Sequence, residues 1–563
     1  MTPRGTHSMT TTTEIERKYD VDRQLRLPDL LQIPGVAGLE FPGTVTLVAV
    51  YFDTETMNLA QNRIVLRRRE GGGDAGWHIK LPAREGRTEM QWPLDVETGS
   101  GSGIDLDDST GPGEAIDGGA TDVPGRVLDP IRTIVRDRPL TPLARITTIR
   151  TTVLLLNDEG DAVAEIADDD VSASDMRGGV FRKWREWEVE LFSAAPDSRK
   201  ARTALLDAVE AALRAAGAQP STSIAKIARA LGADALTELT PSAPRTTKRA
   251  EPHAGSAASV VATLRELGAR LLEADPRVRA EEPKGLRTMT ATVQRLQSVL
   301  AVYRRLFERD TIEALRADLD VVGSALEAAA HAEARAGRVQ KSLDHLAEPL
   351  RDEAAETRLL AETRADSLTA HAELRRMLTS RPYFGLLDRL DVFLLHPAVT
   401  PETYETAARE VTKSLGRGGR RLRESTDVAL AARASAAGAV PTTPGESSAL
   451  AGIDTVAAAL REVHTAARRL RHAAEAVTPA ADGGKKYRRL AAAAKKVEKA
   501  LDAHGDDREF SVYVTGAATR AHAAGEATFV YGVLATRAEV EHDDVLADMR
   551  GEVKHIDRLS HKL

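Results

Sequence analysis

The sequence predicts an α+β domain, built as a closed β-sheet with a polar lumen and flanking helices, followed by an all-α bundle of two similar halves. From Thr10 to about Phe192, runs of β-branched and aromatic residues alternate with charged ones and are bounded by Gly, Pro and Asp clusters. After Ala258 the apolar residues recur at three- and four-residue steps instead. Between the two, Pro241 to Ala258 is rich in Pro, Ser, Thr, Ala and basic residues, as a linker is. The expected divisions are an extension or tag at 1–9, a first domain at 10–235, a linker at 236–258 and a helical domain at 259–563.

At 563 residues the chain exceeds what one core can serve. Its 42% hydrophobic and 29% charged content is that of a soluble globular protein. The absence of cysteine excludes disulfides and thiolate metal sites. With a net charge of -7, a polyanion partner has to be met by local basic patches. No apolar run is long enough for a bilayer and the N-terminus lacks a signal-peptide core, so a cytoplasmic protein without a membrane partner is expected.

The first strand signal is Glu14-Ile15-Glu16-Arg17-Lys18, which puts Glu14, Glu16 and Lys18 on one face. Further strands are expected at Val45–Phe52, Arg63–Glu70, Gly76–Leu81, Gly86–Trp92, Arg145–Leu156, Ala162–Ala167 and Phe181–Phe192. Thr98–Gly125 reads as a long surface loop. Pro124–Arg136 reads as a short helix, and Arg199–Ala216 as a helix with Leu205, Leu206, Val209 and Leu213 inward. Ser223–Leu231 closes the domain as another short helix. In the second domain, the stripes beginning at Leu286 and at Leu460 mark helices that each open one half, separated by the Gly, Ala and Pro rich stretch Ala434–Ser448.

The charged faces carry the chemistry. Arg67 and Arg69 share a face, as do His78 and Lys80, Arg87 and Glu89, and Glu186, Glu188 and Glu190. Guanidinium and ammonium groups bind phosphate oxygens. Carboxylates beside them would repel a polyphosphate unless a hard divalent cation such as Mg²⁺ bridged the two. The pattern thus points to phosphoanhydride hydrolysis, with the metal positioning water for in-line attack.

In order along the chain, these residues resemble the CYTH superfamily, the triphosphate tunnel metalloenzymes. Glu14 to Lys18 looks like its ExExK signature, Tyr51-Phe52-Asp53-Thr54 the end of its second strand, and Leu66-Arg67-Arg68-Arg69 its LRxR strand. Trp77 to Lys80 resembles the strand with a tunnel lysine, Arg87 and Glu89 an RxE strand, and Trp187 to Glu190 the closing ExE strand. The resemblance implies a closed eight-stranded antiparallel tunnel for triphosphate. It implies Glu14, Glu16 and Lys18 as catalytic, with Glu14, Glu16, Glu188 and Glu190 holding Mg²⁺ or Mn²⁺. Lys18, Arg67, Arg69, Lys80, Arg87, Arg150 and Lys226 would hold phosphate, although the serine that usually precedes the last lysine is Ala225 here. Glu165 and Asp168 look like a further acidic strand.

The helical half resembles a CHAD domain, best at Leu501 to Asp506 and Ala521 to Gly532. That implies inorganic polyphosphate binding on a surface formed by Arg461, His464, Arg468, Arg471, His504 and His522. Arg461 stands where the family has histidine, and His464 where it has arginine. The competing expectation is a polyphosphate-binding protein with little or no catalysis, associated with polyphosphate granules. A nucleotide cyclase is a third, but no feature selects a base, and no specific nucleic-acid partner is expected.

Overall fold

The structure, a computed structural model, describes residues 9–96, 122–223, 225–232, 255–396, 404–438, 448–479, 484–539 and 545–563. The chain divides into two units between Thr246 and Thr247, so the expected linker falls mostly outside the described residues. So does most of the expected loop at Thr98–Gly125.

Among the described residues of the first unit, ten strands form one antiparallel sheet. They are β1 (Thr10–Glu14), β2 (Glu16–Val21), β3 (Gly38–Thr54), β4 (Val65–Glu70), β5 (Gly76–Pro82), β6 (Arg87–Trp92), β7 (Leu140–Leu156), β8 (Ala162–Asp175), β9 (Phe181–Leu191) and β10 (Gln219–Pro220). Their order is β1-β6-β5-β4-β3-β7-β8-β9-β2-β10. Only Ile15 separates β1 from β2, yet β1 pairs with β6 and β2 with β9, so the sheet curls to bring both ends of the row to one stretch of chain. Ten strands stand where the resemblance implied eight, because the break at Ile15 divides one strand in two and β10 adds a two-residue edge. β3 runs farther toward its N-terminus than the expected Val45, through a register shift between Glu40 and Gly43. Pro42 has no N–H to donate there, and Gly43 sits at φ +108°, a conformation that favours glycine.

The apolar residues alternate to the outside of the curl, where the helices cover them. The helices are α1 (Asn58–Gln61), α2 (Gly125–Leu128), α3 (Arg132–Val135), α4 (Arg199–Ala216) and α5 (Lys226–Leu231). The helix expected over Pro124–Arg136 is α2 and α3 joined by a 3-10 turn at Asp129–Ile131. The Ser198 hydroxyl caps α4 by accepting from the Ala201 N–H, and Gly217 ends it in the left-handed region. α4 buries Leu205, Leu206, Val209 and Leu213 against Tyr19, Ile166, Trp187 and Val189. Arg17, on the same outer face of β2, forks onto Asp207 and Glu210 of α4 at 2.7 and 2.8 Å.

The second unit is helical. Among the described residues there are ten helices: α6 (Ser256–Arg279), α7 (Gly285–Tyr303), α8 (Arg309–Asp344), α9 (Glu353–Leu378), α10 (Arg381–Leu395), α11 (Tyr404–Gly438), α12 (Ser448–Ala476), α13 (Gly484–Ala523), α14 (Phe529–Glu539) and α15 (Val545–His561). They fall into two runs of five, and the third helix of each run is the longest, at 36 and 40 residues. The main core interleaves both runs: Met289, Leu296 and Tyr303 of α7 pack with Val463, Leu470 and Val477 on and just after α12. The Tyr303 hydroxyl donates to the Ala473 carbonyl at 2.8 Å, which fixes the rotation of α7 against α12. A smaller core joins the C-terminal part of α8 to α9, α13 and α14 through Val339, Leu359, Val514 and Tyr531. No helix among the described residues is long and apolar enough to cross a membrane.

Candidate active site

Strand alternation in the first unit sends charge to the inside of the curl. A cavity of about 250 Å³ there is lined by Glu14, Glu16, Lys18, Arg67, Arg69, Lys80, Arg87, Glu89, Arg150, Glu165, Glu188, Glu190 and Lys226. Lys226 comes from α5 and the others from the strands. Register sets the neighbours: Glu16 lies opposite Glu190, Lys18 opposite Glu188, Lys80 opposite Glu89 and Arg150 opposite Asp169. Gly86, at φ +64°, sets the close approach of β6 to β1, because a Cβ added there would stand 1.9 Å from the Glu14 carbonyl oxygen.

Most of these cations are bound to carboxylates. Lys80 Nζ donates to both oxygens of Glu14 at 2.7 Å. Lys18 Nζ bridges Glu16, at 3.0 Å, and Glu188. Arg150 forks onto Asp169 at 2.8 and 2.7 Å and reaches Glu188 at 2.6 Å. Lys226 Nζ sits among Asp169, Glu186 and Glu188 at 2.9, 2.7 and 2.6 Å. Arg69 pairs with Asp74, and Arg67 with Glu89 at 3.3 Å. Arg87 donates to the Arg63 carbonyl at 2.8 Å.

Burial sets the protonation states. Burial pushes Glu14 up to about 8, with Lys80 opposing and a hydrogen bond to Glu89 adding to the rise. Glu89 is held well below the usual range against its burial, by its hydrogen bond with His78 and by Lys80. His78 is fully buried, with Nδ1 2.9 Å from Glu89 and Nε2 2.9 Å from the Asp74 carbonyl. Burial, then Arg67 and Arg69, hold it down to about 4 against the hydrogen bond with Glu89, which raises it. Burial, then Arg67, lowers Arg69 to about 9. Burial also raises Glu165 and Glu190.

The cavity therefore gathers every site residue expected in this unit except Asp168. Asp168 lies on the outer face, held by Arg185, because β8 alternates and Glu165 and Asp169 share the inner side. Asp169 replaces it in the cavity network. Glu89 and Glu186 also belong to that network; both share faces with expected site residues, so alternation signals them. A hard divalent cation fits the carboxylate oxygens that dominate this lining. The oxygens of Asp169, Glu186 and Glu188 lie within 4.8 Å of one another.

In the helical unit, Arg461, His464 and Arg468 line a cavity of about 730 Å³ together with Glu327, Glu498, Asp502, Asp506 and Glu509. His464 Nε2 lies 2.7 Å from Asp502, and Arg468 3.9 Å from Glu327. Arg471 is bound by Glu498 and Glu475. His522 is exposed near the end of α13, outside this cavity, and the side chain of His504 lies outside the described residues.

The comparisons with known proteins follow this division. The CYTH domain family matches residues 12–230 and the CHAD domain family residues 262–510. An uncharacterized protein of Mycobacterium tuberculosis, Rv2226, is 34% identical over 536 residues, covering 92% of each chain. A second from another strain of that organism, MT2285, is 33% identical over 532 residues, again covering 92% of each. Among solved structures, PptA from Streptomyces chartreusis is 20% identical with a TM-score of 0.38, covering 54% of this chain and 98% of that one. The CHAD domain from the plant Ricinus communis is 19% identical with a TM-score of 0.38, covering 54% and 92%. With a CYTH domain followed by a CHAD domain, and relatives alike over nearly their whole length, the chain belongs to the CYTH–CHAD family.

Proposed function

We propose that the curled sheet works as a closed eight-stranded tunnel, β1 and β2 counting as one strand and β10 standing outside the count, that hydrolyses inorganic triphosphate or a related linear triphosphate with Mg²⁺ or Mn²⁺. One observation carries the reading: cations and carboxylates interleave on the inner face, with Lys18, Lys80, Arg150 and Lys226 each engaged with carboxylates, as a metal–polyphosphate complex would require. Membership of a superfamily that includes triphosphatases and cyclases supports it.

Glu14, Glu16, Glu188 and Glu190 would hold the metal, which would supply Lewis-acid chemistry to the phosphoryl group and to a water. Lys18, Arg67, Arg69, Lys80, Arg150 and Lys226 neutralise the phosphate chain and hold the scissile bond in place, Arg87 acting at the rim. Water adds to the terminal phosphorus as the bridging oxygen leaves with diphosphate. Released phosphate is measured from tripolyphosphate with Mg²⁺ or Mn²⁺. Release is expected from the wild-type protein and a loss of at least about a hundredfold from Glu14→Ala and Glu16→Ala. No release, or unchanged variants, overturns the reading.

The second reading, a polyphosphate-binding protein with little or no catalysis, is favoured by the cationic side chains gathered in the helical unit, where Arg461 and Arg468 line one cavity and Arg469 lies among Arg316, Arg421 and Arg468. We place such a protein in the cytoplasm, in association with polyphosphate granules.

A further inference from the structure

We propose that the inner-face cations and carboxylates are each other's resident counter-ions, that metal and triphosphate bind by displacing opposite halves of these pairs, and that Lys226 sets the exchange. The inference rests on the triphosphate reading above. Three lysines cap the carboxylates. Lys80 takes both oxygens of Glu14, Lys18 spans Glu16 and Glu188, and Lys226 occupies the space among Asp169, Glu186 and Glu188. A divalent cation arriving alone meets carboxylates that are already neutralised. A triphosphate arriving alone draws the lysines away and strands buried carboxylates, which is costly. When both arrive, the lysines exchange carboxylate for phosphate oxygens, and Glu14, Glu16 and Glu188 exchange a lysine for the metal.

Lys226 differs from the other two because no strand carries it. It is the first residue of the six-residue α5, and Ala225 before it offers no side-chain cap. Ala230 and Leu231 anchor the far end of that helix by burial, and Arg229 pairs with Asp20. The ammonium can therefore leave its cage without breaking a strand pair.

The test uses the full-length protein and two ligands added separately. Mn²⁺ alone is titrated with free Mn²⁺ read from its electron paramagnetic resonance signal, and tripolyphosphate alone is titrated by calorimetry in metal-free buffer. Lys226→Met is expected to tighten Mn²⁺ about tenfold or more, since a unit charge has left a partly dry cage, and to weaken tripolyphosphate by a similar factor. A merely structural lesion would weaken both. Lys226→Arg keeps the charge and holds both affinities near wild type. Should Lys226→Met unfold, Lys18→Met is expected to give the same opposite-signed pair of changes through Glu16 and Glu188. Mn²⁺ binding that is unchanged or weaker in the folded variants overturns the exchange. If the wild-type protein binds no tripolyphosphate, with or without Mn²⁺, and releases no phosphate, the triphosphate reading itself fails.

Discussion

Arg185 grips Asp168 through a fork, Nε donating to Oδ1 at 2.8 Å and a terminal nitrogen to Oδ2 at 2.6 Å, while the adjacent Asp169 takes a similar fork from Arg150 on the opposite face of the sheet. Neighbouring aspartates thus do different work. Asp168→Asn is expected to leave phosphate release within about twofold of wild type and to cost about 1–3 kcal/mol of stability through a lost charged hydrogen bond. Asp169→Asn leaves Arg150 and Lys226 short of a buried partner and is expected to lower release by at least about tenfold. Steady-state rates beside urea unfolding of each variant check the contrast.

Ala225 sits at the N-cap of α5 with extended backbone, φ -153° and ψ 148°, and no side chain to cap the helix. A serine there can accept from a first-turn N–H, so Ala225→Ser is expected to stabilise the first unit by about 1 kcal/mol. Because the cap steadies Lys226, the KM for tripolyphosphate should change while the pH profile does not. A thermal melt and a Michaelis curve measure both.

The faces of the strands are legible in the sequence because a period of two ties position to side. Glu14, Glu16 and Lys18, then Arg67 and Arg69, then Glu188 and Glu190, all reach the cavity that alternation assigns them. Three consecutive aspartates, Asp168 to Asp170, hide the alternation, and the expectation of Asp168 in place of Asp169 fails there. Pairing is not legible at all. Lys226 finds its cage on β8 and β9, far along the chain, and no local pattern links them. In the helical unit the spacing of Arg468 and Arg471 reveals a cationic face, but Glu327 and Glu498, which meet them, come from α8 and α13.

His472 on α12 is almost fully buried and bonded at both ring nitrogens. A nitrogen of Arg471 lies 2.8 Å from its Nε2, and its Nδ1 lies 3.0 Å from the Ser298 hydroxyl on α7. Since Arg471 can only donate, Nε2 accepts and Nδ1–H donates. Burial, then Arg471 and Arg295, lower its pKa from 6.5 to about 2. The unfolded chain therefore takes up a proton that the folded one refuses. Stability from neutral His472 is complete above pH 6.5 and falls by up to about 1.4 kcal/mol per pH unit below it, until the folded group itself titrates near 2. Urea unfolding of the helical unit at pH 7 and pH 5 should show this slope, and His472→Gln should remove it.

Arg469 and Arg471 lie on the same helix but should fail differently. Arg471 is tied to Glu498 and Glu475, whereas Arg469 has no ion pair among the described residues and lies among Arg316, Arg421 and Arg468, with Glu462 opposing them. Removing a like charge from that group relieves repulsion, so Arg469→Ala should leave stability unchanged or raise it. It should also weaken long-chain polyphosphate and lower the slope of log affinity against log salt by about one unit, one phosphate contact having been lost. Arg471→Ala leaves Glu498 buried without its partner, so it should lower the unfolding midpoint and leave the salt slope as it was. Binding isotherms at several salt concentrations separate the two. Equal slopes in Arg469→Ala and wild type would remove this arginine from the polyanion surface.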